Sequence, residues 1–157
     1  MRTQEIIEAY GKTHIYMVGM DDNPQPKHID VIIKNVKHDN IFSGGKRHYE
    51  IVKPFLPADA VWIEIKAPIN AVLAEYSRLI QEGKVIVSFV SGDPFFFGFA
   101  STIQKNLLGV GMKVSPYFNS LQMFAHHEQI PYENMHAVSV TGRPWHELDR
   151  ALLECRP

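Results

Sequence analysis

The sequence predicts an α/β fold: a mainly parallel five-stranded sheet with helices on both faces, followed by the start of a second α/β domain. Short apolar runs alternate with segments of helical period, and the runs are continuously apolar, as in strands that are buried on both faces. The 157 residues, 45% of them apolar, are enough for one domain with a full core and part of another.

Five apolar runs predict the strands. They are "HIYMVG" (14–19), "NIFSGG" (40–45), "AVWIEI" (60–65), "KVIVSFV" (84–90) and "MKVS" (112–115), the last of them an edge strand.

Helical periodicity predicts the connections between these strands. In "KHIDVIIKNVKHD" the apolar residues Ile29, Ile32, Ile33 and Val36 follow the spacing i, i+3, i+4, i+7. Segment 68–83 is the clearest helix, because it starts with a proline and ends with a glycine. Shorter helices are predicted in "KRHYEIV" and "GFASTIQKNL".

The alternation changes after residue 115, which predicts a first domain over 1–115 and a second segment over 116–157. In that segment "NSLQMFAHHEQ" and "WHELDRALLE" indicate helices, and "HAVSVTG" indicates a strand.

Composition excludes several classes of function. A net charge of −1 provides no general attraction for nucleic acid or anionic membranes, and no apolar run reaches the ~20 residues of a membrane span. A single cysteine, Cys155, cannot form an internal disulfide or a cysteine-based zinc site, which fits the cytoplasm.

Parallel sheets bind ligands beyond the carboxyl ends of their strands, so the loops there are candidate sites. The loop "GMDDNPQP" lacks a G-x-G-x-x-G pattern, and Asp21 and Asp22 would repel a pyrophosphate. A solvated turn is the alternative. The loop "FSGGKRH" lacks P-loop spacing but places Lys46, Arg47 and His48 together, which predicts an anionic ligand or, alternatively, ordinary surface charge.

The loop "SGDPFFFGF" (91–99) is the most unusual strand end. Asp93 can accept hydrogen bonds from ligand hydroxyls or amines, and Gly92 and Gly98 permit close approach of a ligand. Three consecutive phenylalanines cannot all point inward, so some should line a cleft. The alternative is that Asp93 caps the next helix, as Asn119 or Ser120 could do in "SPYFNSLQ".

Metal and hydrolase sites are disfavoured. His126 and His127 are adjacent, and neighbouring side chains on a helix point about 100° apart, whereas paired ligands need a spacing of three or four residues. A Gly-x-Ser-x-Gly elbow is absent from the sequence.

The segment "SGDPFFFG" lies between a predicted strand and a predicted helix, with "FSGGKRH" before it and "SLQMFAHHEQIPYENMHAVSVTGR" after it. This arrangement resembles the tetrapyrrole (corrin/porphyrin) methylase family. The motifs "GGKRH" and S-x-x-G-R are most similar to the branch that methylates precorrin-6Y. The resemblance extends from about residue 16 to residue 143.

This resemblance implies a two-domain fold that binds S-adenosylmethionine (SAM) in the cleft between the domains, with the macrocycle above it. Because the electron-rich macrocycle supplies the nucleophile, neither a metal nor a particular catalytic residue is implied. The SAM contacts carried over are Asp22, Ser91, Gly92, Asp93, Phe96, Asn119 and Ser120. The candidate partners for substrate carboxylates are Lys46, Arg47, His48 and Arg143.

The implied function is SAM-dependent C5 methylation of precorrin-6Y (cobalt-precorrin-7) in cobalamin biosynthesis, by a homodimer. Two loops depart from the family patterns G-x-G-P-G and P-G-x-S-S, at residues 19–23 and 116–120. Family members continue beyond the position of residue 157, so we expect this chain to be a fragment that is inactive alone. The alternatives are a non-catalytic binding module and a SAM-dependent RNA or protein methylase of the same fold.

Overall fold

The computed structural model describes residues 12–23, 26–35 and 39–154. Its strands are β1 (Ile15–Met20), β2 (Ile41–Gly44), β3 (Val61–Glu64), β4 (Ile86–Ser91) and β5 (Met112–Ser115). They form one sheet in the order β3-β2-β4-β1-β5, and every neighbouring pair is parallel. The predicted α/β class with a five-stranded, mainly parallel sheet is therefore confirmed, as are all five strands and the edge position of β5.

The described helices are α1 (Lys27–Asn35), α2 (Lys46–Val52), α3 (Ile69–Gln81), α4 (Phe99–Asn106), α5 (Ser120–Glu128) and α6 (His146–Glu154), with a short 3₁₀ turn at Lys53–Phe55. Each of the predicted helices is present, although Val36 lies outside the described residues. In these parts of the chain no helix is both long and apolar enough to cross a membrane.

The central strands are covered on both faces, because their side chains alternate between two cores. Ile15 and Met17 of β1 pack with residues of α3 and α4, such as Tyr76 and Ile103. Val18 and Met20 of the same strand pack on the opposite face with residues of α1 and α2. This double burial explains why the strands are continuously apolar in the sequence.

A buried polar contact links α3 to the central strand. The Tyr76 hydroxyl lies 2.5 Å from Ser88 Oγ, and both residues are fully buried. Burial raises the pKa of Tyr76 to about 12. The Ser43 hydroxyl, also fully buried, donates to the Ile63 carbonyl at 2.7 Å. Because unpaired buried hydroxyls are costly, the contact of Tyr76 with Ser88 fixes how α3 packs on the sheet.

The chain divides into two compact units, Met1–Asn119 and Ser120–Pro157. In the second unit α5 ends where the Ile130 N–H donates to the Ala125 carbonyl at 2.9 Å. The prediction of a strand in "HAVSVTG" is wrong, because residues 136–142 have an irregular backbone. A strand needs a partner for its peptide groups, and the described residues of this unit contain helices and turns but no strand.

We predict that Tyr76→Phe lowers the free energy of unfolding by about 1–3 kcal/mol, because Ser88 is left buried without its partner. Urea denaturation at pH 8 measures this loss. Tyr49→Phe is the control: Tyr49 is exposed, so removing its hydroxyl should change stability by less than about 0.5 kcal/mol.

The same pair has a defined pH dependence. The pKa of Tyr76 is raised above its ordinary value of 10.0 to about 12, so its stabilising effect is complete below pH 10 and is lost as the pH rises towards 12. The stability advantage of the wild type over Tyr76→Phe should therefore shrink across that range. An advantage that stays constant from pH 9 to pH 12 would contradict the buried neutral phenol.

Candidate functional site

The loops that follow β1, β2 and β4 meet at one end of the sheet, beyond the carboxyl ends of these strands. Met20 and Ser91 are register partners at the ends of β1 and β4. Gly44 ends β2 on the other side of β4, and α2 begins two residues later. Residues just beyond these strands are therefore neighbours in space although they are distant in sequence.

Two glycines allow three backbone segments to touch at this end of the sheet. The Gly92 N–H donates to the Met20 carbonyl at 2.8 Å, and the Gly92 carbonyl accepts from the Tyr117 N–H at 3.3 Å. A Cβ atom on Gly19 would overlap the Gly92 carbonyl oxygen and lie 2.7 Å from the Tyr117 nitrogen. Gly92 has φ +63°, and a Cβ there would lie 3.2 Å from the Asn119 Cα. Only glycine fits at position 19, and any other residue at position 92 would be strained by the positive φ.

Asp93 shapes the loop after β4. Its carboxylate accepts from the Phe95 N–H at 2.9 Å, and its carbonyl accepts from the Phe96 N–H at 3.0 Å. The helix α4 begins later, with Gly98 as its N-cap, so the alternative that Asp93 caps this helix is wrong. The carboxylate closes a turn at the end of the central strand instead.

Aromatic side chains cover part of this loop. Phe95 and Phe97 are 45% and 43% exposed, while Phe96 is half-buried and its ring lies 4.9 Å from that of Phe97 in an edge-on arrangement. The expectation that not all of these rings point inward is confirmed. That they line a ligand cleft stays a prediction.

Four predicted site residues from three loops are in contact. Arg47 Nε lies 3.0 Å from Asp22 Oδ1 in an ion pair, and Arg47 Nη2 donates to Ser91 Oγ at 3.3 Å. His48 Nε2 lies 2.9 Å from the same serine oxygen. The resemblance assigns Asp22 and Ser91 to SAM and Arg47 and His48 to the substrate. Through these contacts the expected SAM residues and the expected substrate residues form one cluster. Lys46 is exposed in the first turn of α2.

The imidazole of His48 is held in its neutral form. Burial lowers the pKa of His48, and the nearby Arg47 guanidinium lowers it further, while Asp22 acts in the opposite direction. Because the ordinary value is 6.5, a lowered pKa leaves His48 uncharged at pH 7. The cationic cluster predicted from "GGKRH" therefore contains two charges, those of Lys46 and Arg47.

Residues of segment 116–120 and of α1 were missed by the sequence reasoning. The rings of His28 and Tyr117 stack at 5.3 Å, and His28 Nε2 lies 3.4 Å from the Gly19 carbonyl oxygen. A hydrogen bond between Tyr117 and Asp21 raises the pKa of the Tyr117 hydroxyl. The aromatic pair "YF", one residue beyond the edge strand, was the signal that could have identified the contact of Tyr117 with His28.

The remaining predicted residues fall on both sides of the unit boundary. Asn119 ends the first unit with its backbone against Gly92. Ser120 begins α5, and Arg143 donates its N–H to the Val140 carbonyl at 3.2 Å. Both belong to the second unit, so their participation in the site stays a prediction.

The histidine pair of α5 has a local contact. His127 Nδ1 lies 2.8 Å from the carboxylate of Glu128, its neighbour in sequence. Across the described ranges, no three His, Cys, Asp or Glu side chains lie close enough together to hold a metal ion.

Comparison with curated proteins finds a relative over part of the chain. No protein-family model matches the sequence. A precorrin-6Y C(5,15)-methyltransferase [decarboxylating] of Sinorhizobium sp is 28% identical over 102 residues, which cover 64% of this chain and 24% of that protein. The chain thus spans about a quarter of the curated relative it matches.

Solved structures share the fold. The methyltransferase CobJ superimposes with a TM-score of 0.66 at 15% identity, over 90% of this chain and 62% of that one. The chain has the tetrapyrrole methylase fold. A precorrin-6Y methylase from Archaeoglobus fulgidus gives a TM-score of 0.59 at 17% identity, over 85% of this chain and 68% of that one.

A third structure with the tetrapyrrole methylase fold contains a ligand. The uroporphyrin-III C-methyltransferase of Thermus thermophilus, complexed with S-adenosyl homocysteine, has a TM-score of 0.50 at 18% identity, over 69% of this chain and 46% of that one. These comparisons confirm the resemblance to the tetrapyrrole methylase family.

We predict that Gly19→Ala destabilises the first unit by at least about 3 kcal/mol, because the new methyl group overlaps two backbone segments. Gly83→Ala is the matched control, since Gly83 has φ +77° but open space around it, and it should cost about 1 kcal/mol. Thermal denaturation of both variants measures the difference. Equal losses would show that the strand ends are not in backbone contact.

Proposed function

We propose that this chain forms one wall of the SAM site of a tetrapyrrole C-methyltransferase that methylates a precorrin at C5 in cobalamin biosynthesis. The observation that carries the proposal is the glycine contact of Gly19 and Gly92 at the end of the central strands, with Ser91 and Asp93 beside it. A carboxylate and an exposed hydroxyl at this position suit a nucleoside ligand.

The proposed SAM contacts combine three chemistries. The backbones of Gly92 and Asn119 lie against each other beside the end of β4, and both residues are proposed as SAM contacts. The carboxylates of Asp22 and Asp93 can accept hydrogen bonds from ligand hydroxyl or ammonium groups. Phe96 adds an apolar surface, and the remaining contacts proposed are Ser91 and Ser120. A complex of the Thermus thermophilus enzyme with S-adenosyl homocysteine supports a ligand of this class.

Arg47 is the leading candidate for binding the substrate. Its ion pair with Asp22 is well exposed, with 62% and 64% of the two side chains accessible, and exposed pairs contribute little stability. A carboxylate of the macrocycle could therefore replace Asp22 at low cost. Lys46, His48 and Arg143 complete the proposed substrate contacts. The names of the Sinorhizobium and Archaeoglobus proteins support precorrin-6Y as the substrate.

The expected reaction transfers a methyl group from the SAM sulfonium to a nucleophilic ring carbon. The S–CH₃ bond breaks with its electron pair remaining on sulfur, and the macrocycle supplies the electrons of the new C–C bond. The protein has to align carbon, methyl and sulfur and to exclude water. No residue of this chain is assigned as a catalytic base.

We also propose an oligomeric state and a location for the enzyme. The resemblance supports a homodimer. We place the enzyme in the cytoplasm, in agreement with its single cysteine. Because the chain spans 24% of the Sinorhizobium protein, the first unit is proposed to provide only part of the SAM contacts. Binding by this chain alone should accordingly be weak.

We predict that S-adenosyl homocysteine binds the 157-residue chain and that Asp93→Asn weakens its affinity by about 10-fold or more. Asparagine keeps an oxygen that can accept from the Phe95 N–H but removes the charge that a ligand would meet. Isothermal titration calorimetry measures both affinities. Asp30→Asn, which affects only an exposed ion pair with Lys34 on α1, is the control and should leave binding unchanged.

The result that would refute a SAM site here is an absence of binding heat with the wild-type chain, at ligand concentrations high enough to detect a Kd of about 1 mM. Binding of S-adenosyl homocysteine without any binding of a corrin precursor would favour the RNA or protein methylase alternative. Binding of the corrin precursor alone would favour the non-catalytic module.

Arg47→Ala should weaken the binding of a corrin precursor more than that of S-adenosyl homocysteine, because it removes a cation that pairs with substrate carboxylates. An absorbance titration with the corrin precursor and calorimetry with the SAM product measure the two effects. Arg78→Ala is a matched control on α3, where Arg78 pairs with Glu75 and Glu82 on the surface. Equal affinity of the wild type and Arg47→Ala for the corrin precursor would remove Arg47 from the substrate site.

A further inference from the structure

The two ring nitrogens of His48 face different partners. The Gly45 N–H lies 3.0 Å from His48 Nδ1 and donates a hydrogen bond to it. Because a backbone N–H can only donate, Nδ1 must be the nitrogen without a hydrogen. The neutral imidazole therefore carries its one hydrogen on Nε2. This tautomer is set by the backbone at the point where β2 turns into α2.

The Ser91 hydroxyl receives two hydrogen bonds. The Nε2–H of His48 donates to Ser91 Oγ at 2.9 Å, and Arg47 Nη2 donates to the same oxygen at 3.3 Å. A serine oxygen has two lone pairs and one hydrogen. With both lone pairs occupied, the hydroxyl hydrogen is directed away from these partners. Ser91 is exposed at the end of β4, so this hydrogen can be donated to a ligand.

We propose that His48 is a positioning residue that fixes the Ser91 hydroxyl as a hydrogen-bond donor to an oxygen acceptor of SAM, either its carboxylate or a ribose hydroxyl. The inference rests on the proposed function, because it needs SAM at this strand end. It changes the role of His48 from a substrate contact to a residue that acts through Ser91. Both ring nitrogens are already engaged within the protein.

The neutral state of His48 agrees with this role. A protonated imidazole would carry a hydrogen on Nδ1, which would face the Gly45 N–H as a second donor. Burial and Arg47 lower the pKa of His48 and so keep the ring neutral at pH 7. The acceptor at Nδ1 and the donor at Nε2 are thus maintained together.

Two substitutions separate positioning from simple capping of α2. Asparagine can place an oxygen near the position of Nδ1 and so keep the acceptor for Gly45, but it provides no donor near Ser91. Glutamine can place an N–H near the position of Nε2 and so keep the donor to Ser91, but it removes the acceptor for Gly45. If His48 only caps α2, His48→Asn should weaken ligand binding less than His48→Gln does. If His48 positions Ser91, His48→Gln should weaken ligand binding less.

The experiment is calorimetry with S-adenosyl homocysteine on the full 157-residue chain and three variants, each checked for folding by circular dichroism. We expect Ser91→Ala and His48→Asn each to weaken binding by about 5- to 10-fold, the loss of one oriented hydrogen bond. His48→Gln should bind within about 2-fold of the wild type, although it melts at a lower temperature. Repeating Ser91→Ala with 5′-methylthioadenosine, which lacks the carboxylate, distinguishes the two acceptors.

Two results would overturn the inference while leaving the proposed function intact. One is unchanged affinity of Ser91→Ala, which does not depend on how any His48 variant folds. The other is a loss of affinity in His48→Gln as large as that in His48→Asn. An absence of binding by the wild-type chain is a different result, because it refutes the proposed function itself.

Discussion

The arrangement of the candidate site depends on the backbone contact between Gly19 and Gly92. At this point β1 and β4 lie so close that no side chain fits between them, and the Tyr117 N–H donates to the Gly92 carbonyl. The contact fixes where both loops leave the sheet, and with them Asp22 and Ser91. A larger residue at Gly19 would separate the loops, and the side chains that α2 extends towards them would lose their partners.

Most of the fold could be predicted because burial on both faces leaves a clear pattern in the sequence. Strands such as "IYMVGM" have few polar positions, and a helix such as α3 repeats its apolar side chains every three or four residues. The exception is "HAVSVTG", which is apolar enough for a strand. A strand also needs a neighbour to pair with, and local composition does not contain that information.

The candidate site could be predicted only as separate loops. Topology explains why "GMDD", "GGKRH" and "SGD" each appear unusual, since all three follow strands whose carboxyl ends lie at one end of the sheet. Which side chains touch depends on reach and direction, so the sharing of Ser91 between Arg47 and His48 could not be derived from spacing. The support from His28 was missed for the same reason, because stacking on Tyr117 joins residues that are far apart in sequence.

The order of the strands affects how the chain folds during synthesis. The first strand, β1, has no partner among its immediate successors, because Ile15 pairs with Ile86 and Met112. A nascent chain must therefore keep this apolar segment unpaired until two much later strands have emerged from the ribosome. Contacts of such long sequence separation form slowly. A strand that is paired on both sides in the folded protein is thus the one that waits longest for its partners during synthesis.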